Sequence, residues 1–338
     1  MSICIIINLQ KNRNSQRIMN KPTAFLFPGQ GAQYTNMALD LLESDAVKSL
    51  FYTASEILEK DIKEYLCSDP DTLKQTDISQ PAITAANLAA AVFLKDKGYY
   101  PSACAGFSLG EYAALVNAGV INEADCFRLV KTRGNAMQKT INKILETNEK
   151  DSSAAPGMAA ITGFPIEQLE NLIAQLTENG LNDLYIANIN SPKQLVISGT
   201  AAALNEAEIR LKESGIRRFI RLPVAGPFHS PLMSDASGEF LSVLETIVFN
   251  NPLIPVYSNV TGNKISTGLE AKELAVKQIT NPVRWIKEEM AIAASGIEIC
   301  LEVGPGSVLQ GLWKDLKSDI PIYAAGTAED INKWIAFS

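Results

Sequence analysis

The stretch ACAGFSLGEYAAL, residues 103–115, joins a short apolar run to a good helix former through one serine with a glycine two places to either side. G-x-S-x-G at a strand-to-helix junction is the pattern of a nucleophile elbow. Glycine belongs at 106 and 110 because so tight a turn leaves no room for a side chain. Ser108 then stands above the sheet edge at the amino end of the next helix, where outward-pointing N–H groups can stabilise a developing oxyanion. Alone the pattern is weak, since a plain βα turn has the same composition.

The flanks supply the architecture. Upstream, TAFLFPGQG reads as a buried strand over 23–27 that ends in a Pro-Gly turn. Helical patterns follow over 37–42 and 46–58. QPAITAANLAAAVFLKDKG reads as a strong helix with Pro81 in its first turn and Gly98 past its end. Downstream, LGEYAALVNAG is a helix closed by Gly119, and another runs from Glu123 to about Ile144. Strand, tight turn, helix, repeated, is the rhythm of a parallel sheet with covering helices. The polar segment 142–157 reads as a surface loop. Beyond it the order becomes strand, helix, two strands joined by SPK, helix and strand, which is the ferredoxin-like pattern. The expected fold is therefore α/β. It has a parallel-sheet core over 21–150 and 225–330, with a ferredoxin-like insert over 155–224.

Composition narrows the function classes. The chain has 338 residues, 46% hydrophobic and 20% charged, which suits a globular protein. A net charge of −7 argues against a nucleic-acid or membrane-surface binder. Five widely spaced cysteines without C-x-x-C read as reduced thiols in a cytoplasmic protein, and a single histidine makes a zinc site improbable. Residues 1–20 carry an apolar run followed by basic residues. That order is wrong for a secretory signal and the run too short for a membrane span, so they read as an extension.

Four further features could carry chemistry. A serine needs a base, and the only histidine is His229 in VAGPFHSPLM, between Gly226-Pro227 and Ser230-Pro231. A lone histidine is often structural, but a rigid loop tip suits a general base. In FLFPGQGAQ, Gly29 and Gly31 flank Gln30 after the strand, without a P-loop or Rossmann fingerprint. This is either a β-turn or a backbone N–H donor partnering that of Leu109. Arg133, in LVKTRGNAMQ, is either solvated or a fork for a carboxylate.

FLFPGQGAQ, GFSLGEYAAL, TRGNAMQ, ANINSPKQLVISG, GPFHSPLM, QITNPVRW and LEVGPGSVLQGL occur in the order seen in one family. Over residues 23–315 the chain resembles the malonyl-CoA:acyl carrier protein transacylases of fatty acid synthesis and the acyltransferase domains of polyketide synthases. The resemblance implies an α/β-hydrolase-like core with a ferredoxin-like insert, and a Ser-His dyad of Ser108 and His229 with no acidic third member. It implies Gln30 and Leu109 as oxyanion donors, Arg133 on the malonyl carboxylate and the Gln278 carbonyl orienting His229. Gln80 and Met137 fall at acyl-pocket positions, and Phe228 beside the base suggests a pocket too small for a methyl branch. Malonyl-CoA is then the substrate, with no permanently bound cofactor or metal, and acyl carrier protein the partner. Two departures stand out: Phe107 where the family usually has histidine, and a long 142–156 loop.

An acidic carrier protein meeting a net negative chain needs a local basic patch. Lys212, Arg217, Arg218 and Arg221 are candidates against the plainer reading of a solvated strand edge. Three other functions remain open at this level: an acyl hydrolase that clears stalled carrier proteins, a non-catalytic carrier-binding module and a generic esterase. Arg133 counts against the first and third, and the intact Ser108 and His229 against the second.

Overall fold

The computed structural model describes residues 21–148, 155–224 and 226–337. The expectation for residues 1–20 therefore lies outside the described residues, as does that for 149–154. The fold is α/β, with one parallel and one antiparallel sheet. The parallel sheet contains β1 (Thr23–Phe27), β2 (Ala103–Gly106), β7 (Ile299–Glu302) and β8 (Ile322–Ala324), in the order β2-β1-β7-β8. Alternation along these strands feeds two cores. Phe25, Phe27, Cys104, Ile299 and Leu301 face one, while Ala24, Leu26, Ala103, Ala105 and Cys300 face the other. A parallel sheet covered on both faces needs such near-continuous apolar strands.

The antiparallel sheet contains β3 (Gly157–Thr162), β4 (Leu184–Ser191), β5 (Gln194–Gly199) and β6 (Arg218–Arg221), in the order β4-β5-β3-β6. This is the ferredoxin-like arrangement. Its helices, Ile166–Glu178 and Ala201–Glu213, pack Leu169, Ile173, Leu204 and Leu211 against Ala159, Ile161, Leu195 and Ile197. The strands' alternate residues, Met158, Ala160 and Val196, look the other way, toward Ser108. Edge strand β4 is tied to the core where Val283 exchanges backbone hydrogen bonds with Ala187 and Ile189.

Several expected elements shift. Pro81 does not open its helix, which runs Thr76–Asp96 with the proline inside. The helix starts earlier because Gln138 Oε1 accepts the Thr76 N–H at 3.0 Å. Residues 37–42 form a 3₁₀ helix, Leu39–Glu43, instead of an α-helix. The expected loop from 142 is helical as far as Asn148, within Glu123–Asn148. Lys139 and Lys143 there pair with Glu239 and Asp235 of the helix Ser234–Leu244, so a polar surface stays helical. Strand β8 and the helix Ala328–Phe337 had no expected counterpart. Among the described residues no helix is long and apolar enough to cross a membrane.

Candidate active site

Ser108 sits between β2 and the helix Gly110–Asn117 with φ at 50°, a left-handed conformation. The turn closes because both glycines lack a side chain. A Cβ at Gly106 would lie 2.0 Å from the Gly110 carbonyl carbon, and one at Gly110 would lie 2.1 Å from Phe27 O. The bend presents Ser108 at the carboxyl end of the parallel sheet, where open α/β sheets bind ligands.

His229 arrives from a turn that Ser230 Oγ closes on Pro227 O at 2.6 Å. Its Nε2 lies 2.8 Å from Ser108 Oγ, and its Nδ1 lies 2.9 Å from the Gln278 carbonyl oxygen. A carbonyl can only accept, so Nδ1 carries the proton and Nε2 offers its lone pair to the serine. Burial, and then the nearby Arg133 charge, push the imidazole pKa down to about 4, so His229 is neutral near pH 7.

Arg133 projects from the helix Glu123–Asn148 and is 1% exposed. Its Nη2 donates to Gln278 Oε1 at 3.2 Å, and its guanidinium lies 5.6 Å from the Tyr112 ring centre. Its Nε has no hydrogen-bond partner. A buried guanidinium with an unused donor is poorly satisfied alone, and burial lowers its pKa.

Ser108, His229 and Arg133 share the wall of one cavity of about 470 Å³. Gln30 and Leu109 lie on the same wall. Among the described residues the backbone N–H groups of both have no protein acceptor. Met137 and Phe228 also line the cavity; Gln80 does not. Gln80 is fully buried and reaches the wall through Met137, whose sulfur accepts its Nε2–H at 3.3 Å. The opposite wall comes from the antiparallel sheet through Met158, Ala160, Asn188 and Val196. Phe107 packs edge-on against Trp285, with ring centres 5.5 Å apart, and lines the cavity next to Ser108.

Sequence reasoning missed the scaffold behind the serine. Asn259 Oδ1 accepts the Ser108 N–H at 2.7 Å, and Gln278 contributes its side chain as well as its carbonyl. Both contact Glu111. Glu111 did carry a signal, a carboxylate in the apolar run LGEYAALV; Asn259 in IPVYSNVTG carried none.

A sequence model described as the acyl transferase domain matches residues 24–330. The malonyl CoA-acyl carrier protein transacylase of Bacillus subtilis (strain 168) is 37% identical over 310 residues, which is 91% of this chain and 94% of that protein. The solved acyl carrier protein S-malonyltransferase of Vibrio cholerae superposes with a TM-score of 0.83 at 34% identity, covering 92% of this chain and 99% of that one. A malonyl-transacylase solved in complex with a type II polyketide acyl-carrier protein gives 0.84 at 32% identity, covering 94% and 100%.

Proposed function

Because the chain belongs to the acyl transferase family, we propose that it moves a malonyl group from malonyl-CoA to the phosphopantetheine thiol of an acyl carrier protein and so supplies fatty acid synthesis. One observation supports this most directly. Ser108 and His229, 2.8 Å apart, and the buried Arg133 line the same cavity, and the Arg133 Nε has no hydrogen-bond partner. The serine–imidazole pair suits acyl transfer, and the guanidinium suits an acyl group that ends in a carboxylate.

The cycle runs in two mirrored halves. Ser108 Oγ attacks the thioester carbon as its proton passes to His229 Nε2. The Gln30 and Leu109 N–H groups hold the resulting oxyanion, an interaction for which losing one donor costs on the order of 10²–10³ in rate. The intermediate collapses, the C–S bond breaks, and His229 returns the proton to the CoA sulfur. Malonyl-Ser108 remains. The carrier thiol then gives its proton to His229 and attacks the ester, and the serine leaves with that proton. The Gln278 carbonyl keeps the imidazole in the required tautomer throughout.

Arg133 meets the malonyl carboxylate from the cavity wall. Acyl groups without a carboxylate leave a buried charge unpaired. Met137 and Phe228 shape the remaining wall, with Gln80 supporting Met137, and Phe228 leaves little space for an α-methyl branch. Phe107 shields the serine from water. The carrier protein docks on the exposed Arg217, Arg218 and Arg221 at edge strand β6. Lys212 is already paired with Glu208 and contributes less. Residues 21–150 and 225–330 form the acyltransferase core and 155–224 the insert that closes the cavity, and the enzyme works in the cytoplasm without a bound cofactor.

Intact-mass labelling with malonyl-CoA and acetyl-CoA tests this reading on wild type and Arg133→Ala. Wild type forms a malonyl adduct on Ser108 in preference to an acetyl one. Arg133→Ala lowers that preference roughly 10²–10³-fold, as expected for removing one member of a buried charge pair. Equal labelling by both donors in both proteins would refute the clamp.

A further inference from the structure

The left-handed conformation of Ser108 is unfavourable for a non-glycine residue, so the surroundings must enforce it. Two side chains grip its backbone from opposite ends. Asn259 Oδ1 accepts the Ser108 N–H at 2.7 Å, and Gln278 Nε2 donates to the Ser108 carbonyl oxygen at 3.1 Å. Both grips end on one atom. Glu111 Oε2 accepts the Asn259 backbone N–H at 2.8 Å and the Gln278 Nε2–H at 3.0 Å. Asn259 is braced again by its Nδ2, which donates to Gly106 O at 2.7 Å and to Glu288 Oε1 at 2.8 Å. Glu111 is 1% exposed, and Asn259 and Gln278 are fully buried. We propose that Glu111 is a positioning residue for Ser108, acting through Asn259 and Gln278 to hold the strained bend and to align the groups around it. The proposal rests on the reading of Ser108 as the acylated serine.

The hydrogen-bond roles extend the effect beyond the bend. The Ser108 N–H, taken by Asn259, is withdrawn from the cavity, while the Leu109 N–H stays free. Gln278 Nε2 faces three acceptors, Glu111 Oε2, the Ser108 carbonyl and Asn259 Oδ1, so its Oε1 must face the donor Arg133. The same residue's carbonyl holds His229. One carboxyl oxygen thus sets the serine, the base and the guanidinium relative to one another. Burial pushes the Glu111 pKa up to about 7, opposed by the Asn259 and Gln278 donors and by Arg133. Glu288 is the other carboxyl group facing this cluster. Either protonation state leaves Oε2 able to accept, so geometry and not charge is the contribution.

Single-turnover acylation by malonyl-CoA, with rates expressed per labelled site, separates this from a packing role. Displacing the serine by a fraction of an ångström to 1 Å slows the reaction on the order of 10²-fold. Glu111→Ala and Asn259→Ala are expected to show that loss. Glu111→Gln, whose amide oxygen accepts both bonds, is expected within about fivefold of wild type. Asn259→Ala removes the weakest of the three Gln278 Nε2 bonds and leaves those to Glu111 and Ser108 to hold Gln278 and Arg133, so it lowers kcat with little change in KM. The double variant should be no slower than the slower single, because both residues serve one clasp. Glu111→Ala acylating within about threefold of wild type per site, even with a lowered Tm, overturns the proposal. If that variant does not fold, Asn259→Ala decides by the same threshold. Ser108→Ala is run alongside, and an adduct on it would refute the acyl-serine reading instead.

Discussion

At the residue scale, His229 and Arg133 are electrically coupled. The imidazole is neutral near pH 7 because it is buried and because the guanidinium lies nearby. A base works when unprotonated, so a low pKa extends activity toward acid. The acid limb of kcat/KM for acylation is expected near pH 4 in wild type. Arg133→Ala removes one of the two depressing causes and should move that limb up toward the ordinary histidine value of about 6.5. A pH profile from 3.5 to 8, measured on both proteins with acetyl-CoA to avoid the substrate carboxylate, checks it. An unmoved limb would show that burial alone sets the base. Ser108 was legible in sequence because it is an odd residue in a regular setting, a serine between glycines, whereas Arg133 shares its helix with Arg128 and Lys131 and is singled out only by its burial and the resemblance. Asn259 was not legible, since it only acquires a role where three distant segments meet.

The elements that mount these residues fail or hold at single contacts. Gly106→Ala would put a methyl group 2.0 Å from backbone at Gly110, which cannot swing aside. Loss of the malonyl adduct and a lowered Tm are expected, whereas Gly157→Ala, with nothing within 4 Å, should leave both near wild type. Mass labelling and a thermal melt of each variant give the answer, and a fully labelled Gly106→Ala would contradict the tight-bend argument. Glu302 plays a different local part. From the end of β7 its buried carboxylate accepts the Leu309 and Gln310 N–H groups at 2.9 and 3.0 Å, capping the helix Val308–Leu316 that carries Val308 and Leu312 to the cavity. The helix start misread at Pro81 has a similar origin. Local rules favour proline in a first turn, but a side chain from a neighbouring helix satisfies an N–H five residues earlier.

For the whole molecule, the two sheets enclose the cavity, and the core beside it buries several acids. Glu289 is fully buried; its Oε1 accepts the Trp285 Nε1–H at 2.7 Å while Oε2 has no partner. Burial raises its pKa to about 8. The folded state therefore keeps a proton that the unfolded chain releases above about pH 5. Stability is greatest below the unfolded pKa and declines as pH rises toward 8, by up to about 1.4 kcal/mol per pH unit for one such group. Glu289→Gln, neutral in both states, should lose less stability than wild type between pH 6 and 8. Urea midpoints at the two pH values test it, and equal losses would mean that Glu289 does not carry the slope.

The sequence by itself determined the strand-turn-helix rhythm and the ferredoxin-like strand and helix order, and it singled out Ser108, His229 and Arg133 as candidates. These are readable because apolar periodicity, glycine spacing and rare side chains are local properties of a chain. Only the tertiary structure decided that Ser108 Oγ and His229 Nε2, 121 positions apart, stand 2.8 Å from each other. It also decided that Gln80 stands behind Met137, and that Glu111 ties Asn259 and Gln278 to the bend. Those outcomes depend on which buried donors and acceptors meet once the sheets close over them, and no local pattern encodes that pairing.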